Sequence, residues 1–160
     1  MSGTGTVFYR APFGVLAITY EDGAVTALKR ADETALPEDA PNALTEAVFR
    51  QLDEYFTGTR TDFDFPYRLH GTHFQEKVWA ALREIPYGET RSYRQIAEAI
   101  GQPKACRAVG MANHRNPICI VVPCHRVVGA GGTLVGYGGG LDMKAALLEL
   151  EAAHRGSSKR

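Results

Sequence analysis

From residue 5 to residue 30 apolar and polar side chains alternate, the period-two pattern of strands with one buried face. Val7, Tyr9, Val15, Ala17 and Thr19 fall on one such face, and Pro12-Phe13-Gly14 and Glu21-Asp22-Gly23 supply turn residues between three strands. The segment reads as an antiparallel meander. Residues 31–41 are polar with two prolines and read as a loop. Leu44, Val48, Leu52 and Tyr55 then recur every three or four positions, predicting an amphipathic helix that stops near Gly58. The stretch TDFDFPYRL, residues 61–69, alternates again and predicts a strand returning to the sheet.

From Gly71 the period changes. Phe74, Val78, Leu82 and Ile85 mark a helix started by Thr72 and ended before Pro86-Tyr87-Gly88. Ser92 is a good N-cap for YRQIAEAI, Gly101 stops that helix, and Pro103 fits the first turn of the next, PKACRAVGMA. PICIVVP, residues 117–123, is a short β-branched run bracketed by prolines and predicts a buried strand ending at Cys124. Residues 129–140, GAGGTLVGYGGG, hold seven glycines in twelve positions. Leu141, Ala145 and Leu148, with Leu147 beside them, open a last helix that gives way to a loose tail in HRGSSKR. The expected fold class is α+β. A small N-terminal lobe of antiparallel sheet plus helix, residues 1–66, precedes a mostly helical lobe, residues 67–160, that contains a helix-turn-helix.

Composition bounds this picture without refining it. A hydrophobic fraction of 44% and a charged fraction of 22% are those of an ordinary globular protein. No apolar run approaches the ~20 residues that cross a bilayer, and Arg10, Pro12 and Gly14 interrupt any signal-peptide pattern at the start. The expectation is an intracellular, cytoplasmic protein. The formal net charge is zero but unevenly spread: residues 31–66 carry nine acidic against two basic side chains, and residues 87–126 carry six basic against two acidic. Either run suits a solvated face. The basic one also suits a phosphate backbone.

Three cysteines, Cys106, Cys119 and Cys124, are an odd number without C-x-x-C spacing, which favours free thiols over a metal site. Two constellations carry chemistry. The first is SYRQIAEAIGQPKACRAVGMANHRN. There Ala97 stands four positions before Gly101, as a helix-turn-helix requires for close crossing and a tight turn, although an ordinary helical hairpin fits equally well. Arg91, Arg94, Lys104, Arg107 and Arg115 tilt it toward nucleic acid, where they would position the backbone. The second is Pro123-Cys124-His125-Arg126. A thiolate is the nucleophile, and His125 and Arg126 are the neighbours that could lower the thiol pKa. Adjacent residues on a strand face opposite ways, however, so adjacency does not establish contact. The glycine-rich loop fits neither G-x-G-x-x-G nor a Walker loop. It reads as backbone that closely approaches something flat, with Tyr137 in its middle.

Together these residues resemble a known family. Ile85-Pro86-Tyr87-Gly88-Glu89-Thr90-Arg91-Ser92-Tyr93, Arg107-Ala108-Val109-Gly110-Met111-Ala112-Asn113, Asn116-Pro117, Val122-Pro123-Cys124-His125-Arg126-Val127 and Gly136-Tyr137-Gly138-Gly139-Gly140-Leu141 are similar to the marks of the O6-alkylguanine-DNA alkyltransferases, also called methylated-DNA–protein-cysteine methyltransferases. The match runs in register from about Gly71 to Glu151, and the first 66 residues are compatible with the family's variable lobe.

The resemblance implies direct reversal of O6-alkylguanine damage, with O4-alkylthymine a further substrate to consider. Cys124 would take the alkyl group irreversibly, so each molecule acts once. His125 would activate the thiol through a water, oriented by Glu151. Tyr93 would donate a proton toward the departing base, and Asn116 would brace the turn. The backbone of Cys124, Val127 and Gly138 would hold the guanine, with Tyr137 closing the pocket wall. Ser92, Arg94, Lys104, Ala105, Arg107 and Arg115 would contact double-stranded DNA. The second helix would enter the minor groove, with Arg107 filling the gap left by a rotated nucleotide. The implied protein is a monomer without cofactor, metal or membrane partner, with Cys106 and Cys119 as filler. The family sometimes has serine where this chain has Gly138. Relatives that bind zinc do so through the first lobe, which here has no cysteine. A catalytically dead branch has tryptophan at the cysteine position. The alternatives are a non-catalytic protein that recognises alkylated bases, and a helix-turn-helix regulator with a sensory thiol.

Overall fold

A computed structural model describes residues 3–32 and 39–155. The end of the expected tail and part of the loop over 31–41 lie outside the described residues. Three antiparallel strands come first: β1 (Thr4–Ala11), β2 (Gly14–Glu21) and β3 (Ala24–Ala31), in the spatial order β1-β2-β3. The second hairpin turns on Asp22 and Gly23, at φ 50° and 81°. Positive φ at both central residues is what a two-residue turn needs to match strand twist, and Asp-Gly supplies it cheaply. The first hairpin pairs Ala11 with Gly14, Tyr9 with Leu16 and Val7 with Ile18. Opposed residues share a face, so the buried face of β2 is Leu16 and Ile18, both fully buried, rather than Ala17 and Thr19. The expected alternation was one position out of register in that strand, because the register follows from the two-residue turn and the sequence pattern there is apolar on both sides.

Helix α1 (Ala43–Phe56) packs Val48, Leu52 and Tyr55, all fully buried, against the sheet. Asn42 accepts from the Thr45 backbone while the Thr45 hydroxyl accepts from the Asn42 backbone. This reciprocal cap contributes about 1 kcal/mol. The segment 61–69 is not the expected strand. Pro66 has no N–H to donate, and the Gln51 side chain takes the Asp64 N–H at 3.0 Å, so only one parallel bridge forms, Val25 with Tyr67.

Three helices build the second lobe around Trp79, Ile96 and Val109. They are α2 (His73–Arg83), α3 (Tyr93–Ala99) and α4 (Cys106–His114), with α2 capped by Thr72 and α3 by Ser92. Gly101 ends the α3 turn at φ 78°, and Trp79 donates its indole N–H to the Ala112 carbonyl at 2.9 Å. Helix α4 begins three residues after Pro103, at Cys106, because Pro103 and Lys104 form a turn instead of a first helical turn. A short parallel pair joins β4 (Arg91–Ser92) to β5 (Val127–Val128). It ties the N-cap of α3 to the residues that follow Cys124-His125-Arg126. The last helix, α5 (Leu141–Ala153), buries Met143, Lys144, Leu147 and Glu151, while Leu141 at its start is 49% exposed.

PICIVVP is not a strand either. Ile118 makes a single bridge to Leu28, and the chain then turns tightly, Val121 donating to Cys119 at 2.8 Å and Val122 to Ile118 at 3.1 Å. Ile120 sits at φ 72°. That is an unusual place for a β-branched residue and costs on the order of 1–3 kcal/mol. The two segments 66–68 and 117–119 together cover the open edge of β3, which would otherwise offer unpaired backbone groups.

Candidate active site

Cys124, His125 and Arg126 form one 3-10 turn between Pro123 and β5. The turn points its members different ways. Cys124 faces a cavity of about 280 Å³ lined also by Asn116, Cys119, Tyr137, Gly138 and Arg115, with Lys29 and Arg30 of β3 at one side. His125, fully buried, turns to α5, where its Nε2 lies 2.7 Å from Glu151 Oε2. Its Nδ1 has no hydrogen-bond partner among the described residues.

Glu151 is the hub of this inner side. Arg126 donates from Nε to Oε1 at 2.8 Å and from Nη2 to Oε2 at 3.0 Å. Tyr55 of α1 donates its hydroxyl to Oε2 at 2.6 Å, and the Gly88 N–H donates to Oε1 at 3.3 Å. Burial alone would push this carboxyl up, but His125 and Arg126 outweigh it and hold Glu151 well below the ordinary carboxylate range. It is therefore an anion at neutral pH. His125 is pushed below its ordinary value by burial, against the pull of Glu151, so the resting imidazole is neutral.

The thiol departs from expectation. Burial pushes Cys124 up, and the Asn116 and Tyr137 side chains and the Lys144 ammonium bring it only partway back. The expected lowering by His125 and Arg126 fails because the Arg126 charge is spent on Glu151 and on the Ile85 carbonyl at 2.7 Å, with its guanidinium 5.7 Å over the Tyr87 ring. Cys124 thus rests as a neutral thiol next in the chain to a neutral imidazole.

Two asparagines hold the backbone of the turn. Asn116 Nδ2 donates to the Val122 carbonyl at 2.8 Å, and its Oδ1 accepts from the Ile118 N–H at 3.0 Å. Asn113 Nδ2 approaches the Cys124 carbonyl at 3.4 Å. Lys144 is fully buried and donates to the carbonyls of Val127 and Val135 at 2.6 and 2.9 Å. It clamps β5 to the glycine-rich loop, with Nζ 5.9 Å over the Tyr137 ring. Tyr93 donates its hydroxyl to the Val135 carbonyl at 3.3 Å, and burial with the nearby Cys124 raises its pKa. Gly138 lies against the C-terminal end of α4, where an added Cβ would be 3.5 Å from the His114 carbonyl.

The helix-turn-helix residues stand apart from the cavity. Ser92 is the N-cap of α3, and Arg94 is exposed and lies 3.4 Å from Glu98 one turn on. Lys104 and Ala105 sit in the turn before α4, and Arg107 is exposed on its first turn. Arg115, at the C-cap of α4, belongs to the cavity wall as well. Of the site residues not anticipated, Lys144 had a sequence signal: it stands two helical turns before Glu151 on the face that also carries Leu147, charged side chains on an apolar stripe. Asn113 closes the motif Arg107–Asn113 that carries the resemblance, whereas Tyr55 and Lys29 had no signal, since each reaches the site only through tertiary packing.

Residues 73–153 match the family model described as "6-O-methylguanine DNA methyltransferase, DNA binding domain", and residues 6–69 match "6-O-methylguanine DNA methyltransferase, ribonuclease-like domain". The chain belongs to the 6-O-methylguanine DNA methyltransferase family. Among its curated relatives, the methylated-DNA–protein-cysteine methyltransferase of Mycolicibacterium paratuberculosis is 52% identical over 153 residues, 92% of each chain. The protein of the same name from Methanosarcina acetivorans is 61% identical over 104 residues, 65% of this chain and 67% of that one. The crystal structure of the Mycobacterium tuberculosis O6-methylguanine methyltransferase superposes with a TM-score of 0.86 at 48% identity, covering 95% of this chain and 94% of that one. The Mycobacterium tuberculosis protein in complex with DNA superposes at 0.83, also at 48% identity, with 92% of each chain covered. The α+β architecture of sheet lobe and helical lobe is thus the methyltransferase fold.

Proposed function

We propose that this chain is a single-turnover DNA-repair alkyltransferase that moves the alkyl group from O6 of guanine in double-stranded DNA onto Cys124. The observation that carries the reading is a buried thiol opening on a cavity, with a neutral histidine behind it whose far nitrogen is fixed by a carboxylate. That is the order nucleophile, base, orienter. It occurs in a family whose curated relatives are named for alkyl transfer to cysteine.

In this reading His125 removes the thiol proton through Nδ1, by way of a water. Glu151 stabilises the imidazolium that results. The sulfur attacks the alkyl carbon in line, the S–C bond forms, and the C–O6 bond breaks with its electron pair passing to the guanine. Tyr93 gives the departing base a proton and recovers it from the one His125 collected. The product thioether does not reverse, so the protein is consumed. Tyr137 and Gly138 wall the base, the backbone of Cys124 and Val127 lines its edge, and Asn116 holds the turn in place.

A base inside a duplex cannot meet the thiol in line, so the nucleotide must be rotated out of the stack, at a cost of a few kcal/mol. Helix α4 suits the minor groove: its first turn has no acidic residue, and Arg107, Ala108 and Met111 are exposed on it. Arg107 would fill the vacated stack, and Ser92, Arg94, Lys104, Ala105 and Arg115 would meet the backbone. The protein would act as a monomer in the cytoplasm, without a cofactor. Among the described residues no helix is long and apolar enough to cross a membrane.

The test is intact mass before and after incubation with a short duplex containing O6-methylguanine, followed by peptide mapping. One methyl group per molecule, on the peptide holding Cys124, is the expected result. Tight binding to that duplex without any mass gain would instead mean a protein that recognises alkylated bases without repairing them. A duplex with O4-methylthymine in the same assay decides the second lesion.

A further inference from the structure

Tyr55 lies in the N-terminal lobe, 96 positions before Glu151, and is fully buried. Its ring has the work of a core residue, edge-on to Phe56 at 5.2 Å and to Tyr87 at 6.3 Å. A phenylalanine would pack as well. The hydroxyl is what the core does not need, and it makes one bond, 2.6 Å to Glu151 Oε2. That same oxygen receives His125 Nε2 at 2.7 Å and Arg126 Nη2 at 3.0 Å.

We propose that Tyr55 is a positioning residue that sets the basicity of His125 by sharing the Glu151 oxygen on which the histidine rests. The reasoning is electrostatic. A carboxylate oxygen that already accepts a hydroxyl has part of its charge committed, and offers less to an imidazolium. Tyr55 therefore keeps His125 a weaker base than an undivided carboxylate would make it. A weaker base stays neutral to lower pH and is ready to take the thiol proton. The other groups that face this pair are the Arg126 guanidinium from the turn, the Lys144 ammonium from α5, which burial pushes down, and the phenols of Tyr87, packed on Arg126, and of Tyr55 itself, both of which burial pushes up and keeps neutral. Cys124, one residue from His125, is also held neutral by burial.

The inference rests on the alkyl-transfer reading, and two measurements on full-length protein keep the two separable. Tyr55→Phe should raise the His125 midpoint, followed by NMR of its ring nitrogens, by about half to one pH unit. The acidic limb of the transfer rate on an O6-methylguanine duplex should move up by the same amount. A purely structural role would lower the rate equally at all pH values and leave the midpoint in place, and that result would overturn the proposal. Tyr87→Phe is the control, because the Tyr87 hydroxyl has no hydrogen-bond partner among the described residues. An equal shift in that variant would trace the effect to general repacking and also sink the idea. If the wild-type protein transfers no alkyl group, the functional reading fails, and the His125 titration still decides what Tyr55 does.

Discussion

The two sides of the Cys124–Arg126 turn are built on opposite principles. On the inner side the charged groups are matched: Glu151 takes five donors, Arg126 is held by a carboxylate and a carbonyl, and Tyr55 closes the set from the other lobe, while His125 Nδ1 is left without a partner among the described residues. On the outer side the cavity has the cationic side chains of Lys29, Arg30 and Arg115 around a neutral thiol, with the buried Tyr137 beside it. The difference separates framework from reagent. The inner side holds geometry, and in the proposed reaction the outer side receives the substrate.

Substitutions on the two sides should break the protein in different ways. Cys124→Ala should abolish transfer completely and leave folding and DNA binding intact, as read by intact mass and a gel-shift assay. Residual transfer would move the nucleophile elsewhere. Glu151→Ala should act on the framework first, because it strands a buried Arg126; urea unfolding should show a loss of about 3–5 kcal/mol. A loss below about 1 kcal/mol would mean that the inner network matters less to the fold than its geometry suggests.

Arg107→Ala touches neither side. It should slow repair of a duplex by about tenfold to a hundredfold, the equivalent of part of the flipping cost, with little effect on the free alkylated base. Equal slowing on both substrates would remove the arginine from the flipping step. Acid should weaken the inner side selectively. His125 is pushed below its ordinary value of 6.5, so the unfolded chain binds a proton there that the folded chain refuses, and stability falls as pH drops through that value. Glu151 is held below its ordinary 4.5, and its stabilising contribution is lost as pH falls further. A Tm that is flat from pH 7 to pH 5 would contradict the His125 assignment. The smallest effect belongs to Gly138→Ser. Its backbone is not left-handed and a Cβ makes an ordinary contact there, so methyl transfer should change by less than about threefold while bulkier O6-alkyl groups lose more. Equal rates for all alkyl groups would show that this wall does not select for size.

Much of this was legible in the chain and some was not, for reasons that can be named. The helix starts at Thr72 and Ser92 follow from capping chemistry, which is local. The helix-turn-helix and the Asn116 brace came with motifs that occupy contiguous positions. The two expected strands, 61–69 and 117–123, failed because prolines and side-chain bonds diverted backbone donors, and local alternation is blind to both. The fate of Arg126 was misjudged for a related reason. Adjacency to Cys124 suggested that its charge would serve the thiol, but Glu151 competes for that charge from 25 residues away. What sequence proximity offered, tertiary pairing withdrew.

The seam between Leu28 and the loop before Cys124 has a consequence for how the site comes into being during synthesis. Leu28 donates its N–H to the Pro117 carbonyl at 2.8 Å and accepts from the Cys119 N–H at 3.0 Å, joining segments about ninety residues apart. Contacts of that separation form late, after the local helices and hairpins. Glu151 and Lys144, for their part, are translated after the cysteine. A nascent chain on which Cys124 has just emerged would therefore carry an ordinary thiol, without the His125–Glu151 pair, brace or pocket. Reactivity would arrive only when the final helix docks, so that a protein able to act once would not become armed before it is whole.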